Sequence, residues 1–219
     1  MMTDEFKKRI FSSLILIPLS FFFIIKGSLF FILFLLICFF VTCFEWYIMS
    51  KNKNYHLIGY AFLIFSFYSA YSLRNDFNDK SLIIFLIIII TCISTDIGGY
   101  IFGKISKGPK LTKISPKKTF SGMIGSFFLS IIVIYVFFYS SYIHLENINK
   151  FSVETLILIL LISTVSQIGD ITVSFFKRIS KIKNTGKIIP GHGGILDRID
   201  GMIFAFPFSY IVFSLEIIK

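Results

Sequence analysis

Apolar positions along the chain form long runs that ionisable residues hardly interrupt, for example at 82–93, 124–143 and 156–166. A helix that spans a bilayer needs about 20 such residues. The pattern therefore predicts an all-α fold, a polytopic membrane bundle of about seven transmembrane helices. The predicted spans lie near 10–25, 28–48, 57–73, 81–103, 121–143, 152–176 and 198–218.

The composition agrees with a membrane protein, because 55% of the residues are hydrophobic and only 16% are charged. A soluble domain of this size carries more charge. No internal repeat or linker divides the series of spans, so we expect one membrane-embedded domain over 1–219. Within it, 1–80 supplies N-terminal transmembrane helices, and 81–219 supplies the helices and loops of a catalytic core.

The net charge of +10 is concentrated in alternate loops, chiefly at 104–118 and 177–198. By the positive-inside rule, this distribution places the N-terminus and both loops in the cytoplasm. Membrane topology thus accounts for the charge, and we expect no nucleic-acid partner. Trp46 and Tyr47, at the cytoplasmic end of the second span, are predicted to lie in the interfacial aromatic belt.

Asp96 lies near the cytoplasmic end of the fourth span, where an acidic residue is costly and usually functional. Gly99 and Gly103 follow on the same helix face, where a ligand or another helix could approach closely. Two interpretations stay open: a functional carboxylate, or helix packing with one interhelical hydrogen bond.

The sixth span carries polar residues at intervals of three and four, which places them on one face of a helix. Such a stripe is expected to face the bundle interior or a water-filled cavity rather than lipid. Asp170 is the candidate functional acid, although it could instead pair with Lys177 or a neighbouring helix. The stripe comprises Ser163, Ser166, Gln167, Asp170, Ser174, Lys177 and Arg178.

The segment 187–201 combines a glycine-rich turn with two acids at the start of the seventh span. The glycines expose backbone N–H groups that can approach phosphate oxygens. Asp197 and Asp200 share one helix face, which suits a magnesium ion that holds a polyphosphate. His192 is interpreted either as a phosphate donor or general base, or as a residue that only braces the turn.

The other basic loop runs from Lys104 to Gly122 and contains Ser115-Pro-Lys-Lys-Thr119. Its lysines suit anionic headgroups or nucleotide phosphates. Basic cytoplasmic loops are also ordinary topology signals, and Ser115 or Thr119 could simply cap a helix.

Positions 174–200 resemble the signature of the phosphatidate cytidylyltransferase family, with matching residues at fixed spacings. Asn184 departs from it, because the family usually carries Asp there. The matching positions are Ser174, Lys177, Arg178, Lys183, His192, Gly193, Gly194, Asp197, Arg198 and Asp200.

Two upstream segments, 96–100 and 115–119, are similar to further motifs of that family and occur in the same order. Ser121 is a second departure, since Glu commonly precedes the glycine there. The resemblance covers about 90–205.

The resemblance implies that CTP and phosphatidate are converted to CDP-diacylglycerol and pyrophosphate in phospholipid biosynthesis. It also implies magnesium, a monovalent ion such as potassium, a homodimer, and a multi-pass protein of the cell (inner) membrane whose active site faces the cytoplasm. The implied catalytic residues are Asp170, Asp197, Lys177 and His192. The implied substrate-binding residues are Ser115, Lys117, Lys118, Thr119, Ser174, Arg178, Lys183 and Arg198. The implied metal ligands are Asp170, Asp197, Asp200 and Asp96.

Four alternative functions share some of these features. The departures at Asn184 and Ser121 could mark an inactive paralogue, and a CTP-dependent polyprenol kinase would share the nucleotide chemistry. A CDP-alcohol phosphatidyltransferase would need an Asp-Gly-x-x-Ala-Arg opening that this sequence lacks. A secondary transporter would explain the intramembrane acids, but not the Lys-Arg and His-Gly-Gly segments.

Overall fold

The computed structural model describes the backbone of residues 4–77, 80–112, 115, 118–140, 151–189, 191 and 193–217, with side chains from residue 11 onward. Within these ranges the secondary structure is helical apart from two isolated β-bridges, and each predicted span contains a helix. The predicted all-α membrane bundle is therefore confirmed. The helices are α1 (Asp4–Lys26), α2 (Ser28–Ser50), α3 (His56–Asn75), α4 (Ser81–Ser106), α5 (Phe120–Tyr139), α6 (Val153–Ile179), α7 (Leu196–Ile199) and α8 (Met202–Ser214).

Five of these helices, α2 to α6, are long and apolar enough to cross a membrane. The apolar segments Phe11–Lys26 and Met202–Ser214 are shorter. The seventh predicted span is divided into α7 and α8. Within α8, Pro207 cannot donate the helical hydrogen bond to the carbonyl of Ile203. The Ser66 hydroxyl donates to that carbonyl instead, at 2.6 Å, and so joins α3 to α8.

Two contacts identify which helix ends lie together. The Ser180 hydroxyl donates to the Met49 carbonyl at 2.5 Å, so the ends of α6 and α2 are adjacent. At the opposite end of the bundle, Arg74 Nε donates to the Ile24 carbonyl at 3.0 Å, which fixes the end of α3 to the turn between α1 and α2. This alternation matches the up-and-down order predicted for the spans.

The close contact of α4 with α5 depends on glycine. A Cβ atom on Gly98 would lie 2.6 Å from the Gly125 carbonyl oxygen, and one on Gly122 would lie 2.7 Å from that of Gly99. The small-residue face that follows Asp96 is therefore a helix-packing surface, and α5 occupies it. This packing brings the loop before α5 to the end of the bundle that the charge distribution predicts to be cytoplasmic.

The interfacial position predicted for Trp46 is wrong. Its side chain is only 6% exposed, because α6 covers it through Phe176, at a ring-centroid distance of 5.3 Å. Its Nε1 donates to the His56 carbonyl at 3.0 Å. Tyr47, the next residue, is exposed.

Candidate active site

The polar stripe of α6 faces the bundle interior in its first half, as predicted. Ser163 and Ser166 are buried, and the Thr95 hydroxyl of α4 donates to the Ser163 hydroxyl at 2.8 Å. One turn beyond Ser166 the stripe reaches Asp170, which is half-buried, and it ends at the exposed Arg178. The stripe thus leads from a packed helix interface to an accessible polar site.

Asp170 forms an ion pair with Lys118, whose Nζ lies 2.5 Å from Asp170 Oδ2. The Ser174 hydroxyl donates to the other carboxylate oxygen at 3.3 Å. Lys118 also donates to the Gln167 carbonyl at 3.3 Å. The sequence predicts Lys177 or a neighbouring helix as the structural partner of Asp170, whereas the observed partner comes from the loop that precedes α5.

That loop folds back on itself and so presents Lys118 to α6. The amide of Leu111 donates to the Lys118 carbonyl at 2.7 Å, and the amide of Phe120 donates to the Pro109 carbonyl at 3.0 Å. Thr119 then caps α5, since its hydroxyl accepts from the Gly122 amide at 3.1 Å. The capping interpretation of Thr119 is confirmed, while its role toward phosphate stays a prediction.

Asp197 ties the end of α6 to the loop between α6 and α7. Lys177 Nζ lies 2.9 Å from Asp197 Oδ1, and Oδ2 accepts from the amides of Thr185 at 2.8 Å and Gly194 at 3.1 Å. Gly193 has a φ of +90°, and a Cβ atom there would lie 2.8 Å from Asp197 Oδ2. A glycine is required at this position for both reasons.

Asp200 is buried at the junction of α7 and α8, and its carboxyl group lies close to that of Asp170 and interacts with it electrostatically. Neighbouring carboxylates repel each other, so a bound proton or cation, or a nearby lysine, favours this arrangement. The close approach depends on Gly169, where a Cβ atom would lie 2.7 Å from the Asp200 carbonyl oxygen.

Asp96 belongs to the same cluster. It interacts electrostatically with Asp170, Lys118 and Arg198 across the gap between α4 and α6. Asp96 as a whole residue is exposed, although protein atoms surround its carboxyl group closely enough to desolvate it. Three acids from α4, α6 and the α7–α8 junction are therefore grouped with lysines at one end of the bundle.

The remaining predicted residues are distributed around this cluster. Arg178, Lys183 and Arg198 are exposed, and Arg198 interacts electrostatically with Asp96. The described contacts of Ser115 are through its backbone, which accepts from the Lys118 amide at 3.0 Å and donates to the Thr112 hydroxyl at 3.1 Å. Lys117 and His192 lie outside the described residues.

Sequence reasoning missed Glu45 of α2, whose side chain is fully buried. Its carboxylate accepts hydrogen bonds from the loop between α6 and α7 and from the start of α7. A lone acid inside an apolar span was the signal that could have found it.

An apolar cavity of about 240 Å³ adjoins the site. It lies between α3, α6 and α8, and two of its walls come from Leu196, which precedes Asp197, and from Val173, which precedes Ser174. The full lining is Trp46, Tyr55, Ile58, Gly59, Phe62, Leu63, Thr172, Val173, Phe176, Leu196, Ile203 and Phe204.

The carboxylates fit a hard cation in part. In the ranges that the structure describes, no three His, Cys, Asp or Glu side chains are arranged to hold a metal ion by themselves. Magnesium is often bound by only one or two carboxylates together with substrate phosphates. The neighbouring carboxyl groups of Asp170 and Asp200 suit such a site. Both oxygens of Asp170 and both oxygens of Asp197 already have partners within the protein, so a cation would share these acids with Lys118 and Lys177.

The fold and this site define a polytopic membrane protein with a carboxylate–lysine cluster at one end of its bundle. A model of the cytidylyltransferase family matches residues 55–216. The chain is 35% identical over 218 residues to a phosphatidate cytidylyltransferase of Rickettsia bellii. The match covers 93% of this chain and 89% of that protein. The chain therefore belongs to the cytidylyltransferase family, as the resemblance at 174–200 indicated.

Staphylococcal relatives are matched over a smaller part of their length. The chain is 35% identical over 173 residues to the phosphatidate cytidylyltransferase of Staphylococcus haemolyticus and over 175 residues to that of Staphylococcus aureus strain COL. Each match covers 75% of this chain but only 63% of the relative.

The departure at Asn184 gives a testable prediction. Asn184 is exposed on the loop beside Gly193, and among the described contacts no hydrogen bond joins its side chain to Asp170, Asp197 or Asp200. We expect Asn184→Asp to change turnover by no more than a few-fold, measured as the rate of lipid product formation per folded protein. A large gain in rate would instead show that asparagine at position 184 lowers the turnover of the natural protein.

Proposed function

We propose that this protein transfers the cytidylyl group of CTP to phosphatidate, giving CDP-diacylglycerol and pyrophosphate. The observation that carries the proposal is the convergence of the family-like motifs at one place. Asp170 forms an ion pair with Lys118 of the loop before α5, and Asp197 forms an ion pair with Lys177 of α6. The names of the relatives point to the same reaction.

The reaction is a displacement at phosphorus. A phosphate oxygen of phosphatidate attacks the α-phosphorus of CTP, and the bond to the bridging oxygen of pyrophosphate breaks. Such a displacement demands positioning and charge neutralisation more than covalent help from the protein. In this proposal Lys118 and Lys177 would contact phosphate oxygens, and the exposed Arg178, Lys183 and Arg198 would bind the phosphates of the nucleotide that arrives from water.

We propose Asp170 as the central magnesium ligand, with Asp197, Asp200 and Asp96 as the further candidates. When bound, magnesium neutralises phosphate charge. Its support here is the proximity of Asp170 to Asp200 and the nearby carboxylate of Asp96. The potassium ion and the homodimer rest on the family resemblance.

The lipid substrate is proposed to reach the site from the bilayer. The apolar cavity beside Leu196 and Val173 gives the acyl part of phosphatidate a surface next to the polar cluster. The phosphate of the lipid would then lie toward Lys118 and Lys177, while CTP arrives from the water side. We place the protein in the cell (inner) membrane.

The proposed cytoplasmic orientation can be tested without an activity assay. Single cysteines introduced in the loops at 104–120 and 178–196 should react with a membrane-impermeant maleimide only after the cells are permeabilised, so that the reagent reaches the cytoplasmic side. A cysteine at Asn75, at the opposite end of the bundle, serves as the matched control and should react from outside. Labelling of both loops from outside intact cells would contradict the orientation and the side of the active site.

Pyrophosphate release tests the function itself. Purified protein in detergent with magnesium, CTP and phosphatidate should release pyrophosphate, and omission of either substrate should abolish release. Release from CTP alone would indicate nucleotide hydrolysis and would refute transfer to the lipid.

A further inference from the structure

We propose that Glu45 of α2 is a positioning residue that anchors the loop between α6 and α7 and thereby fixes Asp197. The kinetic part of this inference rests on the proposed function. Glu45 precedes the part of the chain that the family model matches, residues 55–216. The first helices therefore contribute to the site rather than only spanning the membrane.

Glu45 binds the loop within its first half, at Thr185, and at its α7 end. Its Oε2 accepts from the Thr185 hydroxyl and from the Leu196 amide, each at 2.8 Å. Its Oε1 accepts from the Ile195 amide at 2.9 Å. The carboxylate is fully buried, so these three bonds are shielded from competing water, and hydrogen bonds to an ionised acceptor are stronger than neutral ones.

The bonds to Ile195 and Leu196 replace a local cap. The first N–H groups of a helix have no partner within the helix, and Ile195, the residue before α7, supplies no side-chain cap. Glu45 therefore performs from another helix the role that a capping side chain usually performs. It fixes the start of α7, one residue before Asp197.

Thr185 connects Glu45 to Asp197 directly. Its hydroxyl donates to Glu45 and its amide donates to Asp197 Oδ2 at 2.8 Å. A shift of Thr185 would thus move the amide that donates to Asp197, and so disturb the ion pair between Asp197 and Lys177.

The glycines of the loop make room for the Glu45 carboxylate. A Cβ atom on Gly186 would lie 2.7 Å from Glu45 Oε1, and one on Gly194 would clash with Glu45 Oε2 and the Thr185 hydroxyl. The loop is therefore shaped around this side chain on two sides.

Glu45→Gln is the direct test. The amide nitrogen of glutamine would face one of the three donors, so at least one bond must be lost. Because small displacements of positioned groups slow catalysis strongly, we expect kcat to fall about tenfold with a smaller change in KM for CTP. We also expect trypsin to cleave faster at the exposed Lys183 and Lys187.

Thr185→Val should act in the same direction, because it removes the hydroxyl and keeps the shape, whereas Thr185→Ser should retain parental kinetics. The Glu45→Gln and Thr185→Val effects should not add, since both break one anchor. Thr42→Val is the matched control, because Thr42 is equally buried on α2 but donates to the Cys38 carbonyl of its own helix. It should change neither kcat nor cleavage.

Parental kcat and parental protease protection in Glu45→Gln would overturn the proposal. If that variant fails to accumulate, the comparison of Thr185→Val with Thr185→Ser decides the same question. Reduced protein with unchanged kcat per folded molecule would show a stability role only and would refute positioning. If the parent makes no CDP-diacylglycerol, the proposed function fails, while protease protection still tests the anchor.

Discussion

Asp170→Asn and Asp197→Asn should each reduce turnover about a thousandfold, which corresponds to several kcal/mol of transition-state stabilisation. Asp170 is the junction of the cluster, in contact with Lys118 and Ser174 and close to Asp200. Asp197 holds Lys177 and two loop amides. The double variant should be no worse than either single one, because one site cannot be disabled twice. The measurement is CDP-diacylglycerol formation per protein in the membrane fraction.

All three variants should fold and insert. Asn at 197 keeps one oxygen that can accept from the amides of Thr185 and Gly194, and Asn at 170 keeps an acceptor for Ser174. Asp76→Asn is the matched control, since Asp76 is an exposed acid at the end of α3, on the opposite end of the bundle. Near-parental, magnesium-dependent activity in well-expressed single variants would end the assignment. Loss of the variants from the membrane fraction would show that the acids act only in helix packing.

Lys118→Ala should lower kcat/KM by about tenfold to a hundredfold, mainly by raising the KM for one of the two phosphate-bearing substrates. A hydrogen bond to a charged group contributes about 1.5–3 kcal/mol, and a lysine that binds the ground and transition states alike supplies uniform binding. Its Nζ already lies among acids, 2.5 Å from Asp170, so it is placed to bridge the acid cluster and a phosphate. Initial rates with CTP and phosphatidate varied separately provide the measurement.

Lys110→Ala removes the same charge from the same loop and serves as the control, because Lys110 is exposed and contributes a backbone bridge to Thr119. It should leave both KM values within about twofold, as expected for an exposed charge. Unchanged KM values for CTP and phosphatidate in Lys118→Ala would remove Lys118 from the substrate-binding residues.

The helices and the interior polar stripe could be predicted from the sequence because each depends on local periodicity. Apolar runs located every span, and three-to-four spacing placed Ser163 and Ser166 inside the bundle. The division of the last span was missed, since it involves Gly201 packing against Ser166 and Ser66 bonding to Ile203. Those contacts join residues that are far apart in the chain.

The site was predicted as a set of residues but not as a set of pairs. The motifs named Asp170, Lys118, Lys177 and Asp197, but which lysine meets which acid depends on how the loop before α5 folds back. Trp46 was misplaced for a related reason, because the covering Phe176 comes from α6. Glu45 was passed over since its partners lie at least 140 residues later in the chain.

The most direct test of the central proposal follows the label of CTP into lipid. Purified protein is incubated with phosphatidate, magnesium and CTP labelled on either the α- or the γ-phosphorus. We predict that α-label enters CDP-diacylglycerol and that γ-label leaves as pyrophosphate. Label from the γ-position in a lipid would indicate a kinase, and no label in lipid from either position would contradict the cytidylyl transfer proposed here.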